Sequence, residues 1–218
     1  MIEYLLDEVR KMKMKNLFNI LIIMLFLCAF AACKDNDDKE EEVVTPDDDK
    51  ITLPSENSIK SKLGNNYSFT VTYISGEETE ISEYYIVSDS YYVNVKGSMP
   101  TAYMYLGGDE NSFYLGTEEG LYYVGEGNQF EDANGMEYLA FASDLKALEV
   151  GTSTIQDRQC KKYQYATETN EYDFYIDSET GICMQCISKG NNTYYEWTIS
   201  NLKIGGVRLD RFYGLIQK

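Results

Sequence analysis

The five cysteines are the residues of this 218-residue chain whose placement most suggests covalent chemistry. Cys183-Met184-Gln185-Cys186 is formally a CxxC motif, with Cys160 upstream of it. A redox motif of that kind needs its first thiol at a helix amino terminus, where the dipole lowers the pKa. Here the pair stands between two turn signals, Asp177-Ser178-Glu179-Thr180-Gly181 and Lys189-Gly190-Asn191-Asn192, among strand-forming neighbours. On a strand, positions 183 and 186 face opposite ways and are not expected to join each other. A bridge from Cys160 to Cys183 or to Cys186 across adjacent strands is the expected role, and three buried thiols are the competing one. Zinc wants four ligands, so three cysteines without histidine fall short. The chain contains no histidine, which removes Ser-His-Asp and Cys-His catalysis and the commonest general base. Carboxylates are too abundant to single out a glycosidase pair; Glu77-Glu78 and Glu118-Glu119 fall in turns. Asp35, Asp37 and Lys39 lack the third acidic ligand and the glycine of a calcium loop. The expectation is a protein with no catalytic residue, cofactor or metal.

Cys28 and Cys33 belong to a different context. An apolar run from Leu17 to Ala32 follows Lys11, Lys13 and Lys15 and closes on Phe30-Ala31-Ala32-Cys33. It is shorter than the roughly 20 residues that span a bilayer, so a cleaved signal is the better reading. The pattern resembles a bacterial lipoprotein signal peptide. That resemblance implies cleavage between Ala32 and Cys33, a diacylglycerol on the Cys33 thiol and a further fatty acyl chain, such as palmitate, on the new amino terminus. Several acyl chains anchor a protein firmly, since each buried methylene contributes about 0.8 kcal/mol. Residues 1–10 are mixed in charge, and Met12 or Met14 is the better start. Lys34 to Glu42 form an acidic string that resembles the export tether of Bacteroidetes outer-membrane lipoproteins. This implies display on the cell exterior, although lipoproteins facing the periplasm carry such tethers too. Like charges keep the segment extended and solvated.

The organisation that follows is 1–32 signal peptide, 33–50 lipidated acidic tether and 51–218 a single domain. From Ile51 onward, twelve basic residues face twenty-four acidic ones, a net of −12. Such a surface repels phosphate backbones and anionic head groups, so nucleic acid is excluded as a partner and membrane attachment rests on the lipid.

What positions these groups is mostly strand. Ser58–Leu63 reads as a short helix, capped by Ser58 and ended by Gly64. From Asn66 the apolar period is two, with Tyr67, Phe69, Val71 and Tyr73 on one face. Strands are expected at 81–87, 91–95, 101–106, 112–115, 121–124, 159–166, 172–176, 182–188, 193–204 and 207–212. Met136, Leu139, Ala140, Ser143 and Ala147 recur at three- and four-residue steps, which predicts one amphipathic helix over 135–148. Adjacent tyrosines such as Tyr84-Tyr85, Tyr91-Tyr92, Tyr122-Tyr123 and Tyr194-Tyr195 must point one ring inward and one outward. Trp197 shares a face with Tyr195 and Ile199 and reads as core.

The fold class is therefore mainly β: an antiparallel meander forming a curved half-barrel or open sheet with one or two short helices. A short first helix, about ten strands, a helical insertion and the run Tyr175-Ile176-Asp177…Thr180-Gly181 are similar to LolA/LolB-like domains. That resemblance implies an apolar inner face covered by helices, the 135–148 helix serving as a lid over acyl chains. The expected function is a non-enzymatic lipid-anchored envelope protein that binds a lipid or other apolar ligand. The alternative is a surface accessory lipoprotein binding glycan or protein through outward tyrosines.

Overall fold

A computed structural model describes residues 49–217 except 128–129, 131–132, 142–144 and 191–192. Cys33, the Ala32–Cys33 cleavage position, the signal segment and all but the last two residues of the tether lie outside the described residues.

Twelve strands form one antiparallel sheet. They are β1 (Lys50–Thr52), β2 (Asn66–Ser75), β3 (Glu78–Val87), β4 (Ser90–Lys96), β5 (Thr101–Leu106), β6 (Ser112–Thr117), β7 (Gly120–Glu126), β8 (Lys146–Ile155), β9 (Arg158–Ala166), β10 (Asn170–Asp177), β11 (Cys183–Gly190) and β12 (Tyr194–Ile204). Their order is β1-β8-β9-β10-β11-β12-β2-β3-β4-β5-β6-β7. Two meanders, β2–β7 and β8–β12, therefore meet at a central seam, where Trp197 lies opposite Tyr73 and Ile199 opposite Val71. β1 and β7 are the sheet's two edges.

The period-two pattern explains the register. Tyr67, Phe69 and Val71 of β2, Tyr84 and Ile86 of β3, and Tyr172 and Phe174 of β10 are all buried in one core. Strands far apart in the order share that core, so the sheet curves round it. We call this the inner face.

Helix α1 (Glu56–Leu63) lies against it. Its amino-terminal cap position is Ser55, not Ser58, and Gly64 ends it at φ 67° as expected. Ile59 and Leu63 are buried, each side chain contributing about 1.5–3 kcal/mol by leaving water.

The helix expected over 135–148 is corrected. Among the described residues of that span only one turn, α2 (Met136–Leu139), is helical, and Lys146–Ile155 is strand β8. Lys146, Ala147 and Leu148 pair with β1, and Leu148 onward pairs with β9. Tertiary pairing overrides a spacing that also suits a helix. Ser143, which the helix would have included, lies outside the described residues.

The strand expected at 207–212 is also absent. The Asn66 side chain donates to the Val207 carbonyl at 3.0 Å and accepts from the Val207 N–H at 2.7 Å, taking both groups that a ladder would use. The chain continues as a 3-10 turn, Asp210–Leu215. That arm covers a second, smaller core on the outer face, built from Tyr92, Ala102, Met104, Leu121 and Leu209. Phe212 stacks on Tyr92 at 3.9 Å, and the Arg211 guanidinium sits 4.5 Å from both the Tyr85 and Phe212 ring centres.

Candidate functional site

The cysteines do not form a reactive centre. Cys160, Cys183 and Cys186 are buried free thiols. Burial pushes Cys160 up to about 11, Cys186 up to about 12 and Cys183 well above the usual thiol value. The bridge expected from Cys160 to Cys183 or Cys186 is not formed. Cys160 is opposite Asp177 and Cys183 opposite Ile176, on the two strands that flank β10. Two strand spacings are roughly 10 Å, beyond the ~7 Å that a disulfide tolerates between Cα atoms.

The two CxxC thiols do not face opposite ways either. Ile176 pairs with Cys183 and Phe174 with Cys186, because the register slips between Tyr175 and Ile176 and leaves Met184 as the extra residue. Such a bulge re-aims one side chain, and both sulfurs reach the inner core. Among the described residues no group of three Cys, Asp or Glu is placed to hold a metal.

The Asp177–Gly181 turn is a brace. The Asp177 carboxylate is buried and accepts from Arg158 at 2.7 Å and from the Thr180 hydroxyl at 2.5 Å. Burial alone would raise its pKa, but these two donors outweigh it and hold the group below the ordinary value. Lys62 of α1 donates to the Thr180 carbonyl at 2.8 Å, tying the helix to the turn.

The inner face and its cover are the strongest candidate for a ligand site. The connection between β7 and β8 lies on the aromatic residues of that face. Phe130 stacks on Phe113 at 3.9 Å, and its carbonyl accepts from the Tyr91 hydroxyl at 2.5 Å. Tyr138 meets Trp197 edge-on at 5.7 Å, and Phe141 meets Phe174 at 4.7 Å.

Two glycines let the cover lie so close. A Cβ on Gly127 would come within 2.5 Å of the Tyr105 ring, and one on Gly135 within 2.6 Å of the Tyr84 ring. Gly135 also has φ 78°, a conformation that side chains disfavour. Sequence reasoning named the region as a lid but missed Phe130, Phe141 and both glycines as its contacts. The Asn134-Gly135 pair was the available signal for a turn there.

Beside this cover a cleft of about 510 Å³ opens. Its floor is Tyr67, Ile86, Tyr91 and Tyr105, all members of the inner core. Its rim is polar: Lys60 and Asn65 near the end of α1, Ser88 and Asp89 from the β3–β4 hairpin, Asn111 from β5–β6, and Asn134 from the cover. The volume falls within the roughly 300–1,000 Å³ of small-molecule sites. Burial, with Glu56 and Glu137 adding repulsion, raises the Tyr67 hydroxyl to about 12, so it stays a neutral donor.

Farther along the inner face the Tyr84, Tyr103 and Tyr138 hydroxyls come together. Burial is the first cause that raises all three pKa values; the neighbouring tyrosines come next for Tyr84, and the Glu137 carboxylate for Tyr103 and Tyr138.

The outward tyrosines form no shared platform. Tyr92 is buried under the carboxy-terminal arm, Tyr194 is 42% exposed, and only Tyr122 and Tyr123 are both well exposed, at 63% and 60%.

No family model matches the chain, and no curated protein matches it. Several solved structures resemble it in part. An uncharacterised conserved protein from Thermus thermophilus matches with TM-score 0.47 at 9% identity, over 72% of this chain and 89% of that one. The MucA/MucB complex of Pseudomonas aeruginosa matches with TM-score 0.43 at 11% identity, over 72% and 58%. This chain thus spans less than two thirds of that protein. The Mycobacterium tuberculosis lipoprotein LppX matches with TM-score 0.43 at 10% identity, over 71% and 97%. Likeness at this level does not extend to ligands or partners.

Proposed function

We propose that this chain is a lipid-anchored lipoprotein of the bacterial outer membrane, acylated at Cys33, whose domain binds an amphipathic lipid without catalysing a reaction. The observation that carries the reading is the cleft, with its apolar floor continuous with the inner core and its ring of amides and hydroxyls. Tyr67, Ile86 and Tyr91 are already buried, so an acyl chain would reach them only by displacing packed neighbours, and its gain of roughly 25 cal/mol for each Å² would come from its own surface leaving water. A polar head would stay at the rim among Asn65, Ser88, Asn111 and Asn134. Longer chains would displace the β7–β8 connection from the aromatic floor. The absence of histidine and the elevated thiol pKa values support a binding role over a catalytic one.

Mature protein, delipidated and then incubated with envelope lipid extract, is expected to carry lipid adducts in native mass spectrometry. Lys60→Trp, an exposed helical substitution at the rim, should reduce occupancy about tenfold without changing the fold. Extract-treated protein of unchanged mass would overturn the ligand reading.

The anchor has its own test. Cells fed radiolabelled palmitate should label the wild type and not Cys33→Ser. Protease added to intact cells should remove the domain if the acidic tether acts as an export address.

A further inference from the structure

We infer that the outer edge of β7 is a docking strand for an extended cationic peptide, a site separate from the cleft. β7 ends the sheet, and the chain's own carboxy-terminal arm pairs with one residue of its free side. Ile216 forms a parallel bridge with Leu121, and the Gln217 N–H donates to the Leu121 carbonyl at 2.8 Å. Among the described residues these are the only backbone groups paired to that side; Lys218 lies outside the described residues.

In an antiparallel ladder, successive residues turn their N–H and C=O groups alternately inward and outward. Leu121 points outward, so Tyr123 does too. The β6–β7 register slips between Tyr114 and Phe113, leaving Val124 as the extra residue beyond it. Tyr122, Tyr123 and Val124 are 63%, 60% and 43% exposed, a run of three apolar side chains along an open edge.

Charge selects the partner. From Gly97 to Leu145, a stretch that includes β5, β6 and β7, the chain has nine acidic residues and no basic one. Glu118 and Glu119 are exposed at one end of β7, and Glu126 is exposed at the other. An incoming strand therefore gains from lysine or arginine at both ends and from β-branched or aromatic residues between them. Main-chain bonds to Tyr123 would supply affinity, as in other edge-addition complexes, and the flanking carboxylates would supply selectivity. A second copy of this chain fits poorly, because it would bring the same acidic ends together.

The test uses mature protein in a neutral detergent and an alternating valine–threonine peptide flanked by lysines, followed by fluorescence anisotropy. The lysine peptide should bind, and the same core flanked by glutamates should not. Proline is tolerated on an edge whose N–H faces solvent, so Tyr123→Pro should weaken binding about tenfold or more while the unfolding temperature holds. Charge reversal at Glu118 and Glu119 should weaken it as well. Equal affinity of wild type and Tyr123→Pro would overturn strand addition and leave only surface charge. A peptide-independent dimer abolished by Tyr123→Pro would overturn the choice of partner in favour of a second copy. If Tyr123→Pro fails to fold, amide exchange of the wild type decides: slowed exchange at Tyr123 on adding peptide supports the proposal, and unchanged exchange refutes it.

Discussion

At the scale of single residues, Asp177 concentrates the most interactions in the smallest space. Its carboxylate joins Arg158 on β9 to Thr180 in the following turn, and Thr180 in turn holds Lys62 of α1. Hydrogen bonds to charged groups are each worth about 1.5–3 kcal/mol, so Asp177→Asn should cost about 2 kcal/mol or more in urea unfolding. The pH dependence has a definite sign. The folded-state pKa lies below the ordinary value. Stability from this group is therefore present above the unfolded carboxylate range, near pH ~4, and is lost as pH falls through the lower folded value. Asp177→Asn should flatten that acid limb of the stability curve. The thiols give a second residue-level prediction. With pKa values this high, Cys160, Cys183 and Cys186 should resist alkylation in native protein and all react after unfolding, with no mass difference between reducing and non-reducing conditions.

At the scale of elements, the decisive contact is between the β7–β8 connection and the aromatic floor. Gly135→Ala adds a methyl where the Tyr84 ring already stands and strains a positive φ. We expect it to lower stability by about 1–3 kcal/mol and to raise the binding of a hydrophobic dye, because the cover can no longer seat.

Ten of the eleven strands expected from alternation are present, since in β2 or β10 every second residue is apolar and no other element suits that pattern. The helix expected over 135–148 fails at its carboxy-terminal end, where Lys146–Ile155 is strand β8. Leu145, Ala147 and Leu148 satisfy a helical step and an alternating one alike, and only pairing with β1 and β9 chooses. The failure at 207–212 has another cause, a side-chain clamp from Asn66, 141 positions away in sequence. The site was half legible. Tyr67 declares itself as an inward residue, but the rule of one ring in and one out fails at Tyr91-Tyr92, both buried, and at Tyr122-Tyr123, both exposed, and the Met184 bulge and the glycine-to-ring contacts depend on neighbours that no local pattern contains.

At the scale of the whole molecule, charge and topology set the behaviour. The net charge of −12 from Ile51 onward favours cationic partners and leaves bilayer attachment to the acyl chains proposed on Cys33. Topology places the first long strand, β2, against the last, β12, in the middle of the sheet. Removing residues from Tyr194 onward would therefore split the sheet at its centre rather than trim an edge. Such a truncation should show no cooperative unfolding transition by circular dichroism.

The seam also bears on how the chain is made and moved. While a ribosome is still producing it, β2 through β7 can zip locally, yet β2 keeps one flank unsatisfied until the final eleven-residue strand emerges. If the chain is exported as proposed, a nascent chain in that condition would still be threadable through a secretion pore, and the lock would click shut only on the far side.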